Sequence, residues 1–220
     1  EKPDIKKINE LAVLAIGTVK YTIEKWPQRV EAQETAAFTY GAIQGLAKGA
    51  EEWSKKSFEQ ASALEPKNPI LLTQIAKILF NTQDSEKART YLKKAITIKP
   101  DYIAATAILA AVEEKEGNKN TAQDLLEKTA KANAYSPEAY FELGKFYFND
   151  NQINKAEQAF LSAVNLMPNY SNALYSLGLA YQKEGQISKA LEYFQKVQEL
   201  NPNNSEIQKK IESLNNNSEE

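Results

Sequence analysis

The chain repeats itself every 34 residues, and that period restricts its fold more than any other feature. "PEAYFELGKFYFNDNQINKAEQAFLSAVNLMP" (137–168) overlays "SNALYSLGLAYQKEGQISKALEYFQKVQELNP" (171–202). Leu143–Gly144 then meet Leu177–Gly178, Tyr147 meets Tyr181, Ala156 meets Ala190, and Phe160 meets Phe194. Prolines hold the same phase at Pro66, Pro100, Pro168 and Pro202, with Ala134 breaking the series. A period of this length marks stacked helical hairpins. One hairpin cannot bury its own apolar face, so neighbours must supply the rest of the core.

Each unit reads as two helices. In 137–149, Tyr140, Leu143, Gly144 and Tyr147 recur at the 3–4 spacing of one helical face; in 153–166, Ala156, Phe160 and Ala163 do the same. Gly117, Asn151 and Gly185 share one place in the turn between them. Glycine and asparagine tolerate the left-handed backbone that closes a helix. Proline after the second helix blocks its continuation. Gly144, Gly178, Ala76 and Ala110 are small where the second helix must approach the first.

The order bulky residue, Leu-Gly, Tyr, Ala, aromatic, Ala and Pro resembles the tetratricopeptide repeat. The resemblance covers residues 30–204. It implies an all-α, right-handed superhelical solenoid of stacked antiparallel helix pairs. It also implies a non-catalytic scaffold for a protein or peptide partner. Four regular units are expected at 69–102, 103–136, 137–170 and 171–204. The 103–136 unit carries Leu109, Ala110, Ala122 and Leu126 but no final proline. A degenerate first unit is expected at 28–68. Its second half is "AEEWSKKSFEQASALEP", Tyr40–Gly41 take the Leu-Gly place, and the turn at 44–50 is longer and holds two glycines. A capping helix is expected within 1–27, with Ile5, Ile8, Ala12, Ala15, Val19, Ile23 and Trp26 on one stripe. A C-terminal cap is expected within 205–220, with Ile207, Ile211 and Leu214 inward and a frayed "NNNSEE" end.

Composition removes several functions. Histidine and cysteine are absent, so metal sites and catalytic devices built on them are excluded. No cofactor or metal is implied. The acidic pairs Glu51–Glu52 and Glu113–Glu114 read as solvated helix surface. The formal charge of −2 gives no pull toward nucleic acid, and the 34-residue phase and two arginines argue against an RNA-binding repeat. The longest apolar run, "LAVLAIG" at 11–17, is too short to cross a bilayer, so no direct membrane insertion by this segment is expected. The first residue is Glu, which suggests a fragment. The glycine-containing turn, the regular repeats and the Asn-rich tail are similar to soluble tails of bacterial polytopic membrane proteins of the O-antigen ligase or polymerase type. That leaves the compartment open between cytoplasmic and extracytoplasmic. A homo-oligomer, or a spacer for a membrane or catalytic region, is the alternative reading.

A helical wheel places the partner groove opposite the core stripe of each first helix, on the concave side. The face consists of Thr73, Lys77 and Phe80, then Ala104, Ala107 and Ala111, then Phe141, Lys145 and Phe148, then Asn172, Tyr175 and Leu179. Three alanines make a shallow dip between aromatic flanks, an arrangement that suits an apolar anchor of a bound peptide. An acidic group of that peptide is expected near a lysine. The aromatics would also pack between adjacent helices. The chaperone-type carboxylate clamp of some tetratricopeptide domains has no counterpart here, because Glu138 and Glu142 stand where a carboxylate would be repelled.

Overall fold

The computed structural model describes residues 4–216, and these form twelve α-helices without a strand. Two compact units divide at Glu116/Gly117. The first holds α1 (Ile5–Lys25), α2 (Val30–Ala42), α3 (Ala50–Leu64), α4 (Pro69–Asn81), α5 (Ser85–Ile98) and α6 (Ile103–Lys115). The second holds α7 (Lys119–Ala132), α8 (Pro137–Asn149), α9 (Ile153–Leu166), α10 (Ser171–Lys183), α11 (Ile187–Leu200) and α12 (Ser205–Asn216). Within each unit, consecutive helices pack as antiparallel neighbours. The fold is all-α. Residues 217–220, which include most of the tail expected to fray, lie outside the described residues.

The 34-residue phase is reproduced in the backbone. First helices α4, α6, α8 and α10 each run 13 residues, and second helices α5, α7, α9 and α11 each run 14. Pro69 and Pro137 sit in the first turn, where the missing N–H costs nothing, and Asn68 and Ser136 cap the turn with their side-chain oxygens. Gly117, Asn151 and Gly185 all have positive φ, as their shared place requires. Gln83 occupies that place in the preceding repeat with φ 65°, without the freedom of glycine.

The first helix pair departs from its expected register. Because α2 starts at Val30, buried Ala36–Ala37 take the Leu-Gly place and Tyr40 takes the place of Tyr147. Tyr40–Gly41 is therefore not the Leu-Gly equivalent. The Ser54 hydroxyl donates to the Ala37 carbonyl at 2.7 Å, a contact that a closely approaching α3 makes available. The turn covers 43–49 and uses Gly45 and Gly49 at positive φ. Ala12 and Val19 of α1 pack with Ala36, Tyr40 and Ile43. Ile5 and Trp26, expected on this stripe, are exposed at its ends.

Hairpin closure in the second unit depends on two glycines. A Cβ on Gly144 would stand 2.5 Å from the Phe160 ring, and one on Gly178 would stand 2.5 Å from Phe194. Both rings are fully buried. At the same register in the first unit, Ala76 faces the α5 position of the shorter Leu92. Side-chain sizes on the two helices are thus complementary.

Adjacent hairpins are latched at a second position. Tyr147 on α8 donates its hydroxyl to Glu127 on α7, and Tyr181 on α10 donates to Glu157 on α9 at 2.7 Å. One period earlier stands Glu113, which is 6% exposed and accepts from Arg89 at 2.7 Å. The expected solvated surface does not hold for Glu113. Its register points it at the preceding second helix, where a guanidinium compensates its burial. Burial, then the hydrogen bond and charge of the neighbouring glutamate, raise the pKa of Tyr147 and Tyr181 above the ordinary phenol value.

Two outcomes test this packing. Gly178→Ala should cost roughly 1–3 kcal/mol in urea unfolding. Combined with Phe194→Leu, the loss should be smaller than the sum of the single losses, because the pair then matches Ala76 and Leu92. The tyrosine latches have a pH signature. Their native pKa is raised, so their contribution is complete below the unfolded value of about 10 and lost as pH climbs toward the native value. Wild type should therefore lose more stability between about pH 8 and pH 11 than Tyr147→Phe/Tyr181→Phe, as measured by urea midpoints.

Candidate functional site

The predicted groove residues fall into two groups of six, one in each unit. In the first unit, Lys77 on α4 and Ala104 on α6 are exposed, while Phe80, Ala107 and Ala111 are half-buried. The Lys115 ammonium of α6 lies 5.1 Å from the Phe80 ring centroid and ties the two first helices together. Thr73 does not present itself. It is 2% exposed and donates its hydroxyl to the Pro69 carbonyl at 2.7 Å. The wheel gave its direction, but a short side chain with an internal acceptor does not reach the surface. Lys77 also borders a depression of about 350 Å³ shared with Phe38, Glu51, Gln74 and Asn81. The sequence reading missed this one, because the shifted register of α2 hid its wall.

The second unit offers a better-formed site. Phe141 on α8 is half-buried, 5.2 Å from the Tyr170 ring and 6.0 Å from Phe160. Tyr175 on α10 rests on Phe194 at 5.5 Å and is 37% exposed. Asn172 is exposed, and Leu179 is half-buried. Phe148 is half-buried beneath the Lys183 ammonium at 5.0 Å. Phe80–Lys115 and Phe148–Lys183 are the same device two periods apart. The predicted aromatics therefore do pack between neighbouring helices.

Phe141, Ser171, Asn172, Tyr175 and Ser176 line a depression of about 450 Å³. Its remaining wall comes from Val197 and Asn201 at the end of α11 and from Asn204, Glu206 and Ile207 at the start of α12. These residues escaped a wheel drawn only on first helices. The region 203–214 reads as a cap, and it is a wall as well. Asn204 accepts from the Glu206 and Ile207 backbone N–H groups, which orients the start of α12. Asn201 donates toward the Ser171 hydroxyl at 3.4 Å. The floor is aromatic and aliphatic, and the rim consists of amides and hydroxyls.

Charge in this unit runs against an acidic ligand. The Lys145 ammonium is already bound to Glu142 at 2.7 Å and lies 5.5 Å from the Phe141 ring centroid. Tyr170 has a raised pKa, first through burial and then through the negative charge of Glu138 and Glu142. Glu206 is the charged residue lining the depression. No group of His, Cys, Asp or Glu among the described residues could hold a metal ion, and no described helix is long and apolar enough to cross a membrane.

Known proteins place this architecture. Residues 71–102, 137–170 and 171–204 match the tetratricopeptide repeat. These three segments are tetratricopeptide repeats. The fold of the chain resembles MamA (residues 41 to the end) from Desulfovibrio magneticus RS-1, with 27% identity and a TM-score of 0.54 over 77% of this chain and 97% of that one. It also resembles TTC0263, a thermophilic tetratricopeptide protein of Thermus thermophilus, with 18% identity and a TM-score of 0.68 over 84% and 98% of the two chains. A third likeness is to YrrB, described as a tetratricopeptide protein with an unusual peptide-binding site, with 17% identity and a TM-score of 0.50 over 84% of this chain and 93% of that one. Curated proteins give no match. Tetratricopeptide repeats and these likenesses support a general role as a scaffold for protein–protein interaction.

The double duty of the aromatics has a measurable consequence. Phe141→Ala should lower stability by roughly 1–3 kcal/mol, because it empties a half-buried position between Phe160 and Tyr170. Asn172→Lys, at an exposed position, should leave the urea midpoint within about 0.5 kcal/mol of wild type.

Proposed function

We propose that the chain holds a peptide segment of a partner protein on its first-helix faces, and that the depression between α10, α11 and α12 takes an apolar side chain of that segment. The observation that carries this reading is the depression itself. It has an aromatic and aliphatic floor, a rim of amides and hydroxyls that can pair with peptide backbone, and walls on three successive helices. Such a pocket provides an anchor together with orienting polar groups. In the second unit the acid near Phe141 favours a neutral or basic neighbour to that side chain, in place of the acidic one expected from Lys145. In the first unit Lys77, Phe80, Ala104, Ala107 and Ala111 form a second contact face, where an acidic group could meet Lys77.

Selection of a phage-displayed random peptide library against the folded chain should enrich sequences with a recurrent apolar anchor. Titrated by anisotropy, those peptides should bind Asn172→Lys and Ser176→Lys at least tenfold more weakly than wild type, which corresponds to about 1.4 kcal/mol. Circular dichroism should show unchanged helix in both variants. Peptides that bind these variants as tightly as wild type would move the site elsewhere. Failure to enrich any peptide would defeat the peptide reading.

A further inference from the structure

We propose that a depression along α5 in the first unit is a docking site for an acidic segment of a partner protein, one that carries an apolar residue. It does not rest on the peptide site of the second unit. The depression holds about 510 Å³. One face of α5 forms most of it: Thr90, Lys93, Lys94, Thr97 and Ile98 recur at helical spacing. Pro66 and Leu72 complete the lining. The Thr90 hydroxyl donates to the Glu86 carbonyl at 3.1 Å, and the Thr97 hydroxyl donates to the Lys93 carbonyl at 2.8 Å. Both hydroxyls are satisfied within α5. The side-chain polar groups left for a ligand are the two ammonium groups.

The repeat supplies its own comparison. At the place of Lys93 and Lys94, α3 has Glu59–Gln60, α7 has Glu127–Lys128, α9 has Leu161–Ser162 and α11 has Gln195–Lys196. The lysine pair belongs to α5 alone among the second helices. The space is also particular to this place. In the second unit, Tyr140 stands where Leu72 stands in the first. The overlapping depression there is smaller, about 320 Å³. Leucine leaves room that the larger tyrosine takes up. Neither feature is required by the fold, since the other hairpins close without them.

Charge selects the partner. Lys87, Arg89, Lys93, Lys94 and Lys99 stand between Glu86 and Asp101 without an acid among them, in a chain whose formal charge is −2. Lys87 is paired with Asp84, and Arg89 with Glu86 and Glu113. Lys93 and Lys94 are exposed and form no ion pair among the described residues. The Lys94 ammonium lies 5.7 Å from the Tyr91 ring centroid. Lys67 and Glu65 line the adjoining depression, and the Glu65 carboxylate already accepts from the Asn68 amide at 2.8 Å. A carboxylate of a partner therefore meets a surplus of positive charge, which steers association and favours acidic over basic sequences. The apolar part is recessed, with Leu72 buried. That shape receives an inserted side chain, whereas a bilayer surface is met by apolar groups that protrude.

Short fluorescent peptides with a central leucine among aspartates supply the probe. Matched peptides carry serine for the leucine, or lysines for the aspartates. Titrated into the intact chain by anisotropy, the leucine–aspartate peptide should bind best and should weaken as salt is raised. Lys93→Glu/Lys94→Glu should weaken it roughly tenfold. Lys6→Glu/Lys7→Glu, an equal charge change at another exposed pair, should leave it unchanged. So should Asn172→Lys, which separates this site from the one in the second unit. Thr97→Trp, at an exposed position, should fill the depression and reduce the leucine peptide to the affinity of the serine one. Circular dichroism should show unchanged helix in every variant. Equal binding of the leucine and serine peptides would overturn the proposal. So would equal weakening by the two lysine-pair reversals. Phosphatidylglycerol vesicles bound by wild type and released by Lys93→Glu/Lys94→Glu, with no peptide bound, would assign the face to lipid and overturn it as well.

Discussion

The closeness of the two helices within a hairpin is the constraint on which the second unit depends. It is set where the Phe160 and Phe194 rings lie against the bare backbone of Gly144 and Gly178. A glycine inside a helix sacrifices roughly 0.5–1 kcal/mol of helix propensity relative to alanine. That loss is tolerated because a whole phenyl ring is buried in return, a gain on the order of 1.5–3 kcal/mol. The exchange also fixes where every other side chain of the hairpin can point. With the second helix drawn in, Tyr147 and Tyr181 reach the glutamates of the preceding second helix. Phe141 and Tyr175 are left partly exposed on the opposite face. The latch and the candidate pocket are two consequences of one interhelical distance.

The period, the prolines and the small residues at the helix approach were legible in the sequence because each rests on local chemistry repeated in phase. Where a repeat substitutes its residues, legibility fails for identifiable reasons. Gln83 takes a left-handed conformation that no glycine advertises. In α2 the stretch "AAFTYGA" offers two small-residue pairs, and the long turn at 43–49 removes the fixed spacing that would choose between them. A wheel supplies an angle and no depth, so Thr73 and Glu113 were both placed nearer to water than they are. The pocket was half legible. Its α8 and α10 residues follow from the wheel. Its α11 and α12 wall depends on how the cap folds back, which no periodicity encodes.

The aromatic residues of the candidate site show why packing and recognition are hard to separate in such a protein. Phe141 touches Phe160 and Tyr170 and also lines the depression. Phe80 and Phe148 each carry a lysine from the next first helix over their rings. A cation over an exposed ring contributes on the order of 0.5–1 kcal/mol, enough to bias a side chain and too little to build a hairpin. These contacts hold the rings in a defined orientation before any ligand arrives. A pre-ordered aromatic gives up little entropy on binding, which is the chief saving available to a shallow site.

The two terminal helices extend this reasoning to the whole chain. Every internal helix buries apolar surface on neighbours in its unit, so the stacking principle is satisfied wherever a following repeat exists. At α12 it is satisfied by ending the pattern: three apolar residues face inward and charged or polar groups face water. At α1 the apolar pattern continues past the last neighbour. Solubility alone would have favoured lysine or glutamate at Leu11, Val13, Leu14 and Tyr21, and helix propensity would not oppose the change. Keeping large apolar groups at four outward positions is therefore a property that neither the fold nor the pocket requires.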